Sequence, residues 1–239
     1  MTEHERLHSM EKEQASQGTL AGGLRSSVRS AVGPGMWSAV RTLRDEIRTM
    51  NTHRKSLRKA RGLSARELRL HCGCGPNIKE GWINIDGFSA KADLQLDLRR
   101  PLPFDAGTAA IIYSEHFFEH LEHPLETGVF LAESLRVLQP GGLFRVGIPD
   151  AEWALVAYAT GDERDFEGQK RWSPGWCDTR MHHINYIFRQ GIEHKYAYDY
   201  ETLAKVLIQA GFSSVTRSEW NPAFDSERWR GCLYVQARK

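Results

Sequence analysis

Residues Leu68 to Asp86 read LRLHCGCGPNIKEGWINID, and this stretch constrains the fold more than any other. It is an apolar strand, a glycine turn, and a second short strand closed by an acid. Gly73 and Gly75 carry no Cβ, so the turn between the strands can take unusual backbone angles and let a ligand approach the main chain. Asp86 stands where an acceptor-only carboxylate receives both hydrogen bonds of a ribose diol. The stretch therefore reads as a nucleoside cradle.

Its details narrow the nucleoside. A dinucleotide fingerprint needs a small residue at the sixth position of the turn and an acid about 20 residues on. Here Ile78 fills the sixth position and Asp86 comes early. The intervening PNIKEGW, with Pro76, Asn77 and Gly81, cannot hold a long helix aimed at a pyrophosphate. A diphosphate cofactor, and with it a nucleotide-dependent dehydrogenase, is disfavoured.

The rest of the chain repeats strand and helix. ADLQLDLR reads as a strand ending at Asp97 and Leu98, and AAIIYSEH as another ending at Ser114 to His116. FFEHLEHPLETGVFLAESLRVLQPGG reads as helical, with Phe130, Leu131, Ser134, Leu135 and Leu138 on one face and a stop at Pro140, Gly141 and Gly142. LFRVGIP is a strand ending at Asp150. YDYETLAKVLIQAGF is an amphipathic helix burying Leu203, Val206, Leu207 and Ala210 and capped by Gly211. SSVTRSEW and CLYVQAR supply two final strands. In an open parallel sheet ligands gather beyond the carboxyl ends of the strands, which puts Asp86, Asp97, His116 and Asp150 at one edge.

Two segments break the rhythm. Residues 1–35 are rich in Glu, Gln, Ser and Gly and are expected to be disordered, because they cannot bury enough surface to offset ordering entropy. Residues 36–62 read as an amphipathic basic helix: Trp37, Val40, Leu43, Ile47 and Met50 recur at helical spacing, followed by Arg54, Lys55, Arg58, Lys59 and Arg61. The basic end reads as a solvated complement to the helix dipole, with an anionic acceptor, a phospholipid surface or a partner protein as the functional alternative. Residues 63–239 then form the main domain. Within it, about 151–198 is an insertion carrying Trp172, Trp176, Met181, His182, His183, Tyr186, His194 and Tyr196. That composition suits an acceptor pocket or lid, or else a satellite hydrophobic cluster.

The totals exclude little but point one way. A formal net charge of +2 gives no global field that calls for nucleic acid. Four cysteines, two of them inside the glycine turn, are no disulfide framework and suit a reducing cytoplasm. No apolar run approaches the roughly 20 residues of a membrane span, and the first residues are too polar for a signal peptide.

The ordered set HCGCGPN, GWINID, ADLQLDLRRPLPF, IIYSEHFFEHL and LRVLQPGGLFRVGIPD resembles class I S-adenosylmethionine-dependent methyltransferases. It is most similar to a bacterial branch of the type 11 kind with a shortened first helix, often linked to sugar or polysaccharide modification. The resemblance covers about Leu68 to Lys239. It implies an α/β, Rossmann-like open sheet, mostly parallel with an antiparallel C-terminal strand, preceded here by the helical extension. It also implies S-adenosylmethionine as cofactor, held by His71, Cys72, Gly73, Gly75, Asn77, Asp86, Asp97, Leu98, Ser114 and His116, with Asp97 meeting the adenine amino group. His71 stands where many relatives of the fold carry an acid, and Asn77 occupies the third small-residue position, so the methionine end is gripped in another way.

The sulfonium already carries a good leaving group, so the chain mainly has to align an acceptor, with a base to take a hydroxyl proton. Candidates for the base are His116, Asp150, His182, His183 and His194, with His116 first because it sits at a strand end beside the expected methyl group. Glu119 and His120 read as orienting groups and His123 as a surface residue. No metal is expected. His71, Cys72 and Cys74 are too compact for a structural zinc site, and the pairs His182 with His183 and His194 with Asp199 lack ligand spacing. The reading is O-methylation of a sugar, glycan or glycosylated metabolite in the cytoplasm, with a small-molecule or glycan acceptor as partner. A membrane contact is expected only peripherally, through the basic helix, and the oligomeric state is open. The alternative is a methyltransferase-fold scaffold without catalysis.

Overall fold

The computed structural model describes residues 33–63, 66–161, 163–226 and 231–239. The disorder expected of the N-terminal tail concerns mainly residues 1–32, outside the described residues. Its last two residues, Pro34 and Gly35, already belong to a helix.

Six strands form one sheet: β1 (Leu68–Cys72), β2 (Ile83–Ile85), β3 (Ala109–Glu115), β4 (Leu138–Pro149), β5 (Ser213–Ser218) and β6 (Cys232–Arg238). Their order is β2-β1-β3-β4-β6-β5. The first four run parallel, and β6 runs antiparallel to both β4 and β5. This is the mostly parallel Rossmann-like sheet with an antiparallel C-terminal strand. As the sequence suggests, no helix stands between β1 and β2; a loop of turns connects them.

Alternation along the strands separates two faces. On one, Leu70, Cys72, Ile112, Phe144, Val146, Leu233 and Val235 join the main core. Helices α2 (Leu125–Val137) and α6 (Tyr200–Ala210) close this face with Phe130, Leu131, Leu203 and Leu207. Gly211, at φ +104°, ends α6. On the other face His71, Tyr113, Trp82 and Phe224 stack in place of a helix, with His71 and Tyr113 rings 5.1 Å apart. Arg145 is buried beneath them, its Nε 2.9 Å from Asp225 and its Nη1 2.6 Å from Ser218 Oγ.

Two expectations for this region need correction. ADLQLDLR does not form a strand: only Leu94 bridges to Ile85. Helix α1 (Pro34–Ala60) takes the outer edge of this segment instead. Ser56 Oγ accepts the N–H of Gln95 at 2.9 Å, His53 Nδ1 accepts the N–H of Asp97 at 3.1 Å, and Lys59 Nζ donates to the Asp93 carbonyl at 2.7 Å. The segment from Phe117 is not one helix either. Phe118–His120 is a single 3₁₀ turn, α2 begins only after the cis peptide His123–Pro124, and Leu138 already belongs to β4. His123 is half-buried against Tyr196, ring centroids 4.6 Å apart, rather than on the surface.

The buried face of α1 also differs from the apolar stripe. Thr49, His53, Ser56 and Ala60, at four- and three-residue spacing, are the residues it buries, while Met36, Val40, Leu43 and Ile47 are exposed. Small and polar residues win this face because the helix has edge N–H groups to satisfy, which apolar side chains cannot do.

The insertion folds into three helices, α3 (Ala151–Thr160), α4 (Glu163–Lys170) and α5 (Arg180–Arg189). Ala154, Ile184 and Ile187 make a small core of their own. Among the described residues no helix is long and apolar enough to cross a membrane.

Candidate active site

The glycine turn is built around two contacts. Gly73 sits at φ +71°, and a Cβ there would lie 2.3 Å from Phe117, so the turn and the loop after β3 pack without room for a side chain. Gly75, at φ +49°, is different: a Cβ would point into open space. That is the main-chain surface a ligand can approach. Asp86 ties the turn to the end of β2. Its Oδ2 accepts the N–H of Gly75 at 3.0 Å, and its Oδ1 accepts those of Phe88 and Ser89 at 2.7 Å each. A carboxylate offers about four lone-pair sites, so these three bonds leave room for about one further hydrogen bond, from one hydroxyl of a ribose.

The other expected cofactor residues fall around this edge in different states. Ser114, at the end of β3, is fully buried and its Oγ finds no hydrogen-bond partner among the described residues. Leu98 and Cys72 are buried in the core, and burial pushes both the Cys72 thiol and the Cys74 thiol up, the latter to about 12. Asn77 is exposed. His71 lies in the aromatic layer, its Nδ1 3.3 Å from Asn84 Oδ1; burial, with Lys79 nearby, lowers its pKa to about 4. Asp97 is engaged by arginines: Arg99 Nε at 2.8 Å and Arg100 Nε at 3.1 Å. Burial alone would raise the Asp97 carboxyl, but those guanidinium bonds outweigh it and hold the pKa low. Arg99 in turn holds Glu46 of α1 through two 2.9 Å bonds.

Toward S-adenosylmethionine, Gly75 offers open main chain and Asp86 one remaining carboxylate position at the ribose end. At the adenine end Asp97 would share its oxygens with Arg99 and Arg100.

The candidate bases are not equivalent. His116, just beyond β3, has φ +50°, and its side chain is 44% exposed. Its Nδ1 lies 3.4 Å from Glu119 Oε1 and its Nε2 4.0 Å from Cys232 Sγ. Crowding by its neighbours disfavours the charged form, but Cys232 and Glu119 outweigh this and raise its pKa well above the usual histidine value. Asp150 is the N-cap of α3, accepting the N–H groups of Glu152 and Trp153. Burial raises its carboxyl despite those bonds. His182 faces solvent and pairs with Asp178 at 2.7 Å. His183 is buried against Phe166, 3.0 Å from Ser173 Oγ, and burial lowers its pKa. These two histidines belong to the packing of α5 and contact none of the strand-end groups in these pairings.

One group comes to the fore that sequence reading set aside. Glu119 is buried beside His116, His120 and His194. Burial would raise its carboxyl, and the three imidazoles outweigh that and hold it low. A small recess of about 10 Å³, room for roughly one water, lies against Glu119 and His194 and is walled by Pro149, Phe188, Tyr196 and Ala197. Nothing in the spacing of Glu119 and His194 along the chain announces this meeting; it is made by main-chain bonds from Lys195 and Tyr196 to the Glu119 carbonyl, at 2.8 and 3.3 Å.

Residues 75–146, from the glycine turn to the middle of β4, match the family described as Methyltransferase domain. No curated protein matches the chain. Among solved structures it is similar to a possible histamine N-methyltransferase from Thermotoga maritima, at 15% identity over 84% of this chain and 96% of that one, TM-score 0.43. It is similar to an S-adenosylmethionine-dependent methyltransferase from Archaeoglobus fulgidus, at 15% identity over 77% and 92%, TM-score 0.45. A third is the 1,6-didemethyltoxoflavin-N1-methyltransferase of Burkholderia thailandensis, at 15% identity over 92% and 88%, TM-score 0.41. The sheet order and the glycine turn agree with the match of residues 75–146 to a methyltransferase domain.

Proposed function

We propose that the acceptor is a hydroxyl of a sugar, a glycan or a glycosylated metabolite, and that the reaction is O-methylation. The observation that supports it is the grouping, at the end of β4 beside the insertion helices, of the aromatic residues Phe188 and Tyr196 with the polar pair Glu119 and His194 around a small recess. A sugar offers an apolar ring face and hydroxyl edges, and this wall offers both kinds of partner.

S-adenosylmethionine supplies an electrophilic methyl group on a sulfonium. Gly73, Gly75, Asp86 and Ser114 would hold it, with Asp97 and Leu98 at the base end. Holding the acceptor in line with that methyl is worth roughly 7–11 kcal/mol of barrier. In this reading Glu119 orients His116 through Nδ1, and the ring acts as base only in its neutral form. Nε2 receives the hydroxyl proton as the C–O bond forms and the methyl–sulfur bond breaks, so transfer should rise as pH rises through the raised pKa of His116. Asp150 serves as a helix cap, and His182 and His183 stiffen α5.

The test is transfer of labelled methyl groups from S-adenosylmethionine to a panel of sugars, glycans and glycosylated small molecules. The reading expects labelled ether on a hydroxyl and loss of label in His116→Asn. Label appearing only on nitrogen, carbon or carboxylate acceptors contradicts the hydroxyl assignment.

A further inference from the structure

We propose that Glu119, His120 and His194 bind one divalent transition-metal ion at the floor of the recess. One ligand atom from each of the three lies within 4.8 Å of the others. Glu119 Oε1 is 3.9 Å from His194 Nε2, and the His120 and His194 rings meet edge to face at 4.9 Å.

The strongest support is the state of the carboxylate. The Glu119 side chain is only 3% exposed; Oε1 lies 3.4 Å from His116 Nδ1, and Oε2 finds no hydrogen-bond partner among the described residues. A carboxylate taken out of water in that condition is costly unless a cation completes it. The second support is the tautomer of His194. Its Nδ1 lies 2.7 Å from the carbonyl oxygen of Ile187, and a carbonyl only accepts. Nδ1 therefore carries the hydrogen, leaving the Nε2 lone pair on the side of Glu119. Two acceptors thus face each other across a buried gap, which a metal ion bridges and a hydrogen bond at 3.9 Å does not. A carbonyl holding the far nitrogen of a ligating histidine is the usual support for such a site.

Two imidazoles and one carboxylate suit Zn²⁺, Fe²⁺ or Mn²⁺ and leave coordination positions open toward the recess. Contraction of the cluster by a few tenths of an ångström to an ångström brings the donors to bonding distance of such an ion, and Glu119 is already pinned through its main chain to Lys195 and Tyr196. The competing cation is His116, whose Nδ1 is 3.4 Å from Oε1. Use of the ion by an acceptor hydroxyl rests on the reading of the recess given above; binding of the ion does not.

The experiment is calorimetric titration of the chelator-treated full chain with Zn²⁺, with Co²⁺ absorption as a second readout. One Zn²⁺ per chain, weakened by roughly tenfold or more in Glu119→Gln and in His194→Gln, is expected. Thermal melting of the metal-free proteins shows whether each variant is folded, and His120→Asn, at the half-exposed rim of the cluster, serves where a buried substitution is not. No Zn²⁺ bound by the parent, or binding equal in the folded variants, overturns the proposal. Neither result depends on whether methyl transfer is seen.

Discussion

His53 on α1 accepts the main-chain N–H of Asp97 through Nδ1 at 3.1 Å, and so couples the N-terminal helix to the segment that follows the nucleoside cradle. The bond needs a neutral ring, and burial lowers the pKa of His53, with Asp97 pulling weakly the other way. Ser56 makes the neighbouring bond to Gln95. His53→Leu leaves the Asp97 N–H buried without an acceptor and is expected to cost about 1–3 kcal/mol. Ser56→Ala costs about 1 kcal/mol by the same reasoning. Urea denaturation of the two variants checks both, and no change in either shows that α1 contributes nothing to the stability of the domain.

Acid is expected to destabilise the fold through His71. Its pKa is about 4 in the folded chain and 6.5 in the unfolded one. Above pH 6.5 both states are neutral and the residue contributes no pH dependence. Between about 6.5 and 4 the unfolded chain takes up the proton while the folded chain does not, so stability falls as pH falls. The full loss is about 3 kcal/mol, reached near pH 4. Urea midpoints measured across that range in the parent and in His71→Gln read this directly: the variant should show the shallower slope.

The two turn glycines should fail in different ways. Gly73→Ala drives a Cβ to 2.3 Å from Phe117, so it is expected to unfold the chain or lower its melting temperature sharply. Gly75→Ala meets no atom within 4 Å, and strain at φ +49° costs about 1–2 kcal/mol. It should fold and lose cofactor affinity. Melting curves with and without S-adenosylhomocysteine separate the two.

Arg145 and Asp225 are both fully buried. Removing one leaves the other charge uncompensated, so Asp225→Ala is expected to cost about 3–5 kcal/mol, whereas Arg145→Met with Asp225→Leu together should cost much less. A double-mutant cycle in urea gives the coupling.

How much of this was legible in the sequence follows from the range of each signal. The strands and α6 are written in local alternation and in the cap at Gly211, and the turn glycines in their own chemistry. What was misread depended on partners distant in the chain. ADLQLDLR alternates like a strand, with Leu94, Leu96 and Leu98 buried, yet its edge pairs with side chains of a helix 39 and 44 residues away. The stripe from Trp37 to Met50 has helical period, but the docked face is set by the N–H groups it must satisfy. At the site, Asp86 and Gly75 were readable from the turn. Glu119 was not, because a glutamate in FFEHL carries no local mark of being brought against His194.

The account rests on the cradle formed by Gly75 and Asp86, and calorimetry with S-adenosylhomocysteine tests it most directly. The parent chain should bind one equivalent, and Asp86→Asn, checked for folding by its melting curve, should bind at least roughly tenfold more weakly, since it removes an acceptor worth about 1.5–3 kcal/mol. No binding by the parent, or unchanged affinity in a folded Asp86→Asn, would contradict it.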